Sequence, residues 1–261
     1  MGGSPQGARP KALVYRDPVN LEFSTQDSDQ HEAWLIKFPA QQEHPEVCAI
    51  EAVYAECLRL CAIETPDTHF FNLPNGLTAF ASKRFDRQNG MRIPMQSLAA
   101  YTGADYKVPG SLDYRNFLRA TLMCTQDVRE RLHAFKRAVF NVLFNNRDDH
   151  TKNFSFLMEK NGQWKLAPAY DVTFCEGPGG YHQMDIMGEA LNISRNDIHK
   201  LGTSEANLTT LEVDEIILTM REIALQFSQI AQRLYPHQIR ESTLQMIQSR
   251  IQQNIDFLTE T

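Results

Sequence analysis

The stretch that decides the fold is FNNRDDHTKN at Phe144–Asn153, which is followed further along by the dipeptide Tyr170-Asp171. It places an acid, an amide and a second acid in the order that ATP-dependent phosphoryl transfer requires. One acid can orient or deprotonate an attacking hydroxyl, while the amide oxygen and the later acid can hold Mg2+ against a triphosphate. The stretch therefore predicts a phosphoryl-transfer centre at this point of the chain.

A helix is predicted before this stretch and a β-hairpin after it. Val128–Phe144 carries apolar residues three and four positions apart, which is typical of a buried helix. Phe154–Met158 and Trp164–Ala167 have strand patterns and are joined by a polar turn. Because a short hairpin returns the chain to its starting edge, it brings Asn153 and Asp171 together, where they can share one cation.

The first third of the chain predicts strands and a single helix. Strand patterns occur at Ala12–Tyr15 and Ala33–Pro39, and an amphipathic helix is predicted at residues 46–61. Two further strands, His69–Leu73 and Leu77–Ser82, flank the sequence Pro-Asn-Gly, a strong hairpin signal.

The rest of the chain is mainly helical in pattern. Tyr114–Cys124 has helical periodicity, Met184–Ser194 is ambiguous, and two long helical patterns run from Glu212 to the C-terminus with a break at Pro236. The methionine and aromatic residues of these helices are typical of a core rather than of a cofactor site.

Length and pattern together predict two lobes. A chain of 261 residues with 42% hydrophobic content can form one large domain or two modest lobes. The change from strands to helices favours an α+β fold with a small strand-rich lobe at residues 1–87, a larger helical lobe at residues 88–261 and a hinge near residues 83–90.

Charge and hydropathy exclude two classes of protein. A formal net charge of −6 argues against a nucleic-acid-coating protein, because nonspecific phosphate binding needs clustered Lys and Arg. No apolar run approaches the roughly 20 residues that cross a bilayer, and the start lacks the layout of a signal peptide. We therefore expect a cytoplasmic protein with no membrane contact and no direct nucleic-acid binding.

The five cysteines are odd in number. Cys57 and Cys61 are four residues apart on the predicted helix and could ligate a metal. Because no second Cys or His pair lies nearby at zinc spacing, buried free thiols are the favoured interpretation.

Three features allow two interpretations each. Lys37 lies in an apolar strand, so it either meets a phosphate or carboxylate or lies on the solvent face of an edge strand. Glu51 is either an inward-facing lysine partner or a solvated helix residue. The glycine-rich residues 2–11 either bring backbone N–H groups to a phosphate or form a disordered terminus or an expression remnant.

Five stretches occur along the chain in one order: Ser4–Lys11, Ile36–Pro39, Arg84–Arg87, Asp148–Phe154 and Tyr170-Asp171. On these stretches the chain resembles the kinase core of the HipA-like serine/threonine protein kinases, the toxin kinases of bacterial toxin–antitoxin systems. The resemblance covers most of the chain from residue 4, with its motifs before Cys175. It implies a two-lobed protein-kinase-like fold that uses ATP and Mg2+.

The resemblance implies a role for each motif residue of the centre. Lys37 is similar to the strand lysine that grips the α and β phosphates, with Glu51 as its helix partner. Asp148 is similar to the catalytic base, because the family places the base five residues before the metal-binding asparagine, which selects Asp148 over its neighbour. Asn153 and Asp171 are similar to the Mg2+ ligands.

Further residues are implied to surround the nucleotide. The implied contacts are Gly7 and Ala8 of the phosphate loop, Lys83, Arg84 and Phe85 of the adenine-binding hinge, Asp86 at the ribose, Lys152 beside the transferring phosphoryl group and His150 as an organiser of the loop. Ser4 is similar to a serine that some members autophosphorylate to switch themselves off; the alternative is an ordinary turn serine.

The chain departs from the family at its start, where a subdomain of about one hundred residues commonly precedes the phosphate loop. We expect either a minimal or split kinase whose missing subdomain is a separate protein, or a shortened form of a longer chain. The implied partners are a protein substrate, of which an aminoacyl-tRNA synthetase is the family-level expectation, and an antitoxin. Alternative functions are a small-molecule or lipid kinase and a catalytically silent pseudokinase that acts as a binding module.

Overall fold

A computed structural model describes residues 9–27, 30–88 and 90–259 of the chain. The strands in chain order are β1 (Lys11–Arg16), β2 (Phe23–Ser24), β3 (Glu32–Lys37), β4 (Thr68–Asn72), β5 (Thr78–Lys83), β6 (Arg87–Gln88), β7 (Met91–Arg92), β8 (Met95–Ser97), β9 (Ser155–Met158) and β10 (Trp164–Leu166). The helices are α1 (Glu46–Leu60), α2 (Leu98–Thr102), α3 (Tyr114–Thr125), α4 (Val128–Leu143), α5 (Arg195–Glu205), α6 (Thr210–Leu225), α7 (Phe227–Leu234) and α8 (Glu241–Thr259).

Five strands form an antiparallel sheet in the order β2-β1-β3-β5-β4. The predicted hairpin joins β4 to β5, and Asn75 in its turn adopts a positive φ of 61°, which asparagine tolerates better than most residues. β3 lies between β1 and β5, so Lys37 is on a central strand rather than on an edge.

Helix α1 is buried on two sides. Pro45 precedes it, Glu46 lies in its first turn and Arg59 in its last, so its charges complement the helix dipole. One side packs on the sheet through Cys48, Ala52 and Phe80 of β5. The other side enters the main core of the helical part, which explains why so few of its residues remain exposed.

The centre of the helical part is α4. Its inward residues, including Phe135, Val139 and Phe140, are fully buried, as the apolar spacing predicted. The helix ends at Leu143 with Phe144 as its C-cap, and Asn145 adopts a positive φ of 54°. This reversal directs the chain into the loop that carries Asp148, and β9 and β10 follow as the predicted hairpin.

The C-terminal half differs from its predicted pattern. The first of the two long helical patterns predicted after Glu212 forms two helices, α6 and α7, which are separated at Gln226. With α8, this part of the chain therefore has three helices instead of the two predicted. Helix α5 was not predicted; it begins with a reciprocal capping box between Ser194 and Asp197. Within the described residues, no helix combines the length and apolar character needed to cross a bilayer.

The cysteines are free thiols, as predicted. Cys57 and Cys61 are buried in the main core, and burial raises the pKa of Cys61 to about 12. Both side chains therefore act as small apolar residues.

Candidate active site

A buried lysine connects the sheet to the segment that carries Asp171. Lys37 Nζ lies 2.5 Å from Glu51 Oε1 on α1 and 2.5 Å from Asp171 Oδ1. The side chains of Lys37 and Glu51 are 7% and 4% exposed, whereas Asp171 is 43% exposed. One carboxylate thus fixes the lysine from inside, and the other presents an accessible oxygen to the space beside it.

The charges of this group support one another. Burial alone would lower the pKa of Lys37, but the carboxylates of Glu51 and Asp171 hold it above the usual value. Burial would raise the pKa of Asp171, and Lys37, with smaller effects of Lys11 and His150, holds it below the usual value. Both groups are therefore charged at neutral pH.

Asp148 and Asn153 are joined within one loop. The Asn153 side-chain amide donates to the backbone oxygen of Asp148 at 2.8 Å, which uses the amide nitrogen and leaves the amide oxygen as the atom for a cation. The Asp148 carboxylate is 48% exposed and accepts a bond from Gln183 Nε2 at 2.7 Å. The loop thus presents an accessible carboxylate next to an amide oxygen.

Asp149, by contrast, is completely buried. Its carboxylate accepts bonds from the Tyr114 hydroxyl at 2.8 Å and the Gln183 backbone N–H at 2.8 Å, and His182 Nδ1 lies 2.7 Å away. The Tyr114 hydroxyl in turn accepts from Asn141 on α4 at 2.9 Å. Asp149 therefore ties the loop to α3, α4 and the segment around residue 182.

Lys152 and His150 both lie close to the aromatic ring of Tyr106. Lys152 Nζ is 3.4 Å from the ring centroid of Tyr106, and the His150 ring is 5.9 Å from the same ring. His150 Nε2 is 3.8 Å from Asp148 Oδ1, too long for a hydrogen bond. Tyr106 thus contacts two residues of the loop.

Tyr170 joins the metal-ligand candidates to the hinge. Its hydroxyl donates to the Lys152 backbone oxygen at 2.7 Å and lies 2.6 Å from Ser155 Oγ, while its ring is 5.4 Å from that of Phe85. Burial raises the pKa of Tyr170 to about 12, so it stays a neutral donor. Asp171 follows with a positive φ of 57°, a left-handed conformation that aspartate tolerates better than most residues.

The hinge candidates already have partners. Lys83 pairs with Glu32 at 2.5 Å, and its backbone N–H donates to Asp67; the N–H of Arg84 donates to Ala33. Of the backbone amides of Lys83, Arg84 and Phe85, that of Phe85 has no such bond within the described residues.

The Asp86 carboxylate is held by Arg84 at 2.6 Å and by Arg87 at 2.5 Å. Burial would raise its pKa, but these guanidinium groups lower it. A ribose hydroxyl would therefore meet an ionised, already paired acid.

Three predicted residues, Ser4, Gly7 and Ala8, lie outside the described residues. The first described residue of their motif is Arg9, which pairs with Glu43 at 2.8 Å and lies 3.4 Å from Glu51. Arg9 thereby fastens the end of the predicted phosphate loop beside Lys37.

A groove of about 1080 Å³ borders the hinge. Lys83, Phe85 and the turn at residues 158–161 contribute to its lining, but Lys37 and Asp148 do not. We therefore assign the chemistry to the arrangement of side chains described above and not to this groove.

A family model described as the HipA-like C-terminal domain matches residues 3–233. The chain belongs to this family. The resemblance seen in the sequence motifs is thereby confirmed. A "Putative kinase" of Haemophilus influenzae is 23% identical to this HipA-like domain over 192 residues, which are 65% of the chain and 52% of the relative. The chain thus spans about half the length of the curated relative.

Two solved structures share the fold. HipA of Shewanella oneidensis, in a complex titled as the toxin–antitoxin system of HipA, HipB and operator DNA, has a TM-score of 0.75 at 17% identity. The match covers 99% of this chain and 66% of that chain. The Helicobacter pylori proinflammatory kinase CtkA has a TM-score of 0.57 at 14% identity, covering 87% and 88%. The predicted α+β, two-lobed kinase-like fold is confirmed.

Sequence reasoning missed the residues that hold the loop from a distance. These are Tyr106, Tyr114, Asn141, His182 and Gln183. Only the polar Asn141 inside an apolar helix pattern gave any signal, since a buried amide needs partners.

Proposed function

We propose that this HipA-like domain is a kinase that transfers the γ-phosphate of Mg-ATP to a serine or threonine hydroxyl of a protein. The observation that carries the proposal is the ion-paired group of Lys37, Glu51 and Asp171. The Tyr170 hydroxyl, which donates to the Lys152 backbone oxygen, connects this group to the loop of Asp148 and Asn153. The family membership and the two kinase-like folds support it. The division into lobes at residues 1–87 and 88–261 belongs to this proposal.

The donor set fits a nucleotide-bound magnesium ion. Mg2+ prefers oxygen ligands and is commonly held by one or two protein groups together with phosphate oxygens. The Asn153 amide oxygen and the exposed Asp171 carboxylate supply two such groups, and Lys37 supplies positive charge for phosphate oxygens. Bound in this way, the ion would neutralise charge on the phosphates.

The protein groups then have separate tasks. Lys37, fixed by Glu51, holds phosphate oxygens, and Phe85 N–H receives the adenine ring. Asp148 accepts the proton of the attacking hydroxyl at its accessible carboxylate, while Lys152 offsets negative charge on the transferred group. This division places the reactive hydroxyl and the phosphate in fixed positions, which is the main source of rate for this chemistry.

Replacement of the base tests the proposal. Asp148→Asn keeps the shape of the side chain but removes its basicity, so we expect phosphate transfer from γ-labelled ATP to fall about 10²–10⁴-fold. ATP affinity, measured by calorimetry, should remain near wild type. Asp256→Asn, at an exposed position of α8, is the matched control. Wild-type turnover in Asp148→Asn would refute the assignment of the base.

The same incubation addresses regulation. We propose Ser4 as an autophosphorylation site, and peptide mass mapping of active protein after incubation with Mg-ATP should find phosphate there. An unmodified Ser4 under turnover would end that part of the proposal. Detectable phosphate transfer would also exclude the silent pseudokinase.

The solved complex of Shewanella HipA supports a proposal about the partners of this domain. Because the Shewanella HipA structure contains HipB and operator DNA, we propose that this domain acts in the cytoplasm with an antitoxin-type protein partner. The same complex gives no support to the expectation that the chain avoids nucleic acid. Phosphoproteomics of expressing cells would distinguish a protein acceptor from a small-molecule or lipid acceptor.

A further inference from the structure

The proposed base is held by a residue 35 positions further along the chain. Gln183 Nε2 donates to Asp148 Oδ1 at 2.7 Å. This bond occupies one carboxylate oxygen of a side chain that is otherwise 48% exposed. The second oxygen, Oδ2, is left for the incoming hydroxyl.

The backbone of Gln183 is itself fixed. Its N–H donates to Asp149 Oδ1 at 2.8 Å, and its carbonyl oxygen accepts from the Gly110 N–H at 2.8 Å. The preceding residue, His182, is 4% exposed, contacts Asp149 Oδ2 and donates its N–H to the Ala190 oxygen. The amide of Gln183 therefore extends from an anchored point.

The chemical type of the holding group matters. An exposed carboxylate exchanges between rotamers, and a single donor on one oxygen restricts that freedom before the substrate binds. A lysine or arginine in the same place would also stabilise the charged carboxylate and make it a weaker base. A neutral amide orients the side chain without adding a charge.

We propose that Gln183 is the positioning residue of Asp148, and that the dipeptide His182-Gln183 holds both acids of the loop in register. This inference rests on the proposed kinase function, because it gives Gln183 a role only if Asp148 receives a proton. A purely structural Gln183 would instead stabilise the segment 176–190 without affecting the rate of the chemical step.

Two replacements of Gln183 separate these roles. Gln183→Leu removes the donor at similar size, and Gln183→Glu keeps the shape but sets two carboxylates against each other. We expect kcat for γ-phosphate release from Mg-ATP, with water as acceptor, to fall about 10–100-fold in both, since small misplacement of a reacting group costs up to about 10²-fold. KM for ATP and Tm should stay at wild-type values, because Lys37 and Asp171 are untouched.

Gln245→Leu and Gln245→Glu, on the exposed side of α8, are the matched controls. A Gln183→Glu variant with wild-type kcat would overturn the inference, since it fills the same space. A wild-type chain without turnover would overturn the proposed function and this inference with it. Turnover in wild type together with full kcat in Gln183→Leu would overturn the inference alone.

A second readout does not depend on activity. In an NMR spectrum of protein labelled with 15N-glutamine, the side-chain amide signals of Gln183 can be assigned, because they are the signals that disappear in Gln183→Leu. Asp148→Ala removes the acceptor, so we expect these signals to shift upfield, and Asp256→Ala should leave them unchanged. Signals that do not respond to Asp148→Ala would show that the amide does not hold the base, and would overturn the inference.

Discussion

Two adjacent acids in one loop have opposite surroundings. Asp148 is half-exposed, whereas Asp149 is fully buried among three hydrogen-bond partners. The family resemblance, through the spacing to Asn153, favours Asp148 as the proposed base, and the burial of Asp149 supports that proposal, because an enclosed carboxylate cannot meet a substrate. A buried carboxylate is tolerated only with such partners.

The local motif could be predicted because its residues are close in sequence or lie on strongly patterned elements. Asn153 and Asp171 lie at the two ends of one hairpin, and Lys37 lies on an apolar strand. Tyr114 and Gln183 could not be predicted, because each reaches the loop from more than thirty residues away in sequence. The periodicity of α3 predicts a helix that begins at Tyr114, but it does not show that the Tyr114 hydroxyl meets Asp149. Their role depends on tertiary packing alone.

Removal of the Tyr114 hydroxyl tests how much its hydrogen bonds to Asp149 and Asn141 stabilise the protein. Tyr114→Phe deletes the group that donates to Asp149 and accepts from Asn141, and so leaves a buried amide and a buried carboxylate with one partner fewer. We expect the free energy of unfolding in urea to fall by about 1–3 kcal/mol. Tyr101→Phe is the control, since the Tyr101 hydroxyl has no hydrogen bond within the described residues. Equal stability of the two variants would contradict the prediction.

At the scale of elements, the sequence pattern missed one helix, α5, and merged two others, α6 and α7. Each of these differences has a physical reason. Helix α5 contains Gly202, Thr203 and Ser204, which are weak helix formers, so its pattern is faint. Gly202 is required by packing, because a Cβ there would lie 2.5 Å from Val213 and 3.0 Å from Phe135. The capping box at Ser194 was the signal that could have located the helix.

Helices α6 and α7 appeared as one because the break at Gln226 is a single residue. The apolar spacing continues across it, from Ile223 to Phe227 and Ile230. Periodicity measures which side chains face the core, and a one-residue break does not change that face.

One ion pair fixes the start of α1 against the C-terminal helices. Glu46 is 4% exposed and accepts bonds from Arg240 Nη2 at 2.5 Å, from the Arg240 backbone N–H at 2.9 Å and from Thr243 Oγ1 at 3.0 Å. Burial would raise the pKa of Glu46, but these bonds outweigh it and lower the pKa below the usual value of 4.5. The ionised form is therefore the one that stabilises the fold.

The pH dependence of this contribution has a defined sign. Because the folded pKa is lower than the unfolded one, the stabilisation is complete above the unfolded pKa and disappears as the pH falls through the folded pKa. We expect Glu46→Gln to lower the free energy of unfolding by about 1–3 kcal/mol at pH 7, and the difference from wild type to shrink below pH 4.5. Urea titrations at several pH values measure it. Glu222→Gln, on the exposed face of α6, should show a small, constant difference; a constant difference for Glu46→Gln would refute the prediction.

At the scale of the whole molecule, the change of pattern near residue 87 predicts two lobes, yet the main core extends across that boundary through α1, while the sheet keeps a smaller cluster of its own. Val53, Tyr54 and Leu58 of α1 belong to the main cluster, and the Tyr54 ring packs against Phe140 and Phe227. The boundary between the two lobes, placed between residues 87 and 88, stays a prediction. Sequence patterns locate the elements, but they do not show which core each element joins.

This sharing of α1 predicts cooperative unfolding of the sheet and the helices. The chain has two tryptophans: Trp34 is buried in β3 of the sheet, and Trp164 lies in β10 against the main cluster. Trp164→Phe therefore leaves a fluorescence reporter in the sheet, and Trp34→Phe leaves one in the helical part. Because α1 packs on both, we expect the urea midpoint of each reporter to coincide with the midpoint of far-UV circular dichroism in the same variant.

Comparison within one variant removes the effect of the substitution on overall stability, since both probes then follow the same protein. A Trp34 midpoint below the circular dichroism midpoint would mean that the sheet unfolds while α1 stays in the helical core, and would contradict the prediction. The Tyr54 hydroxyl donates to the Phe144 oxygen, just before the loop of Asp148, so in that case α1 would keep this contact while its packing on Phe80 of β5 is lost. Coincident midpoints would instead make Lys37 of the sheet and the loop of Asp148 parts of one cooperative unit.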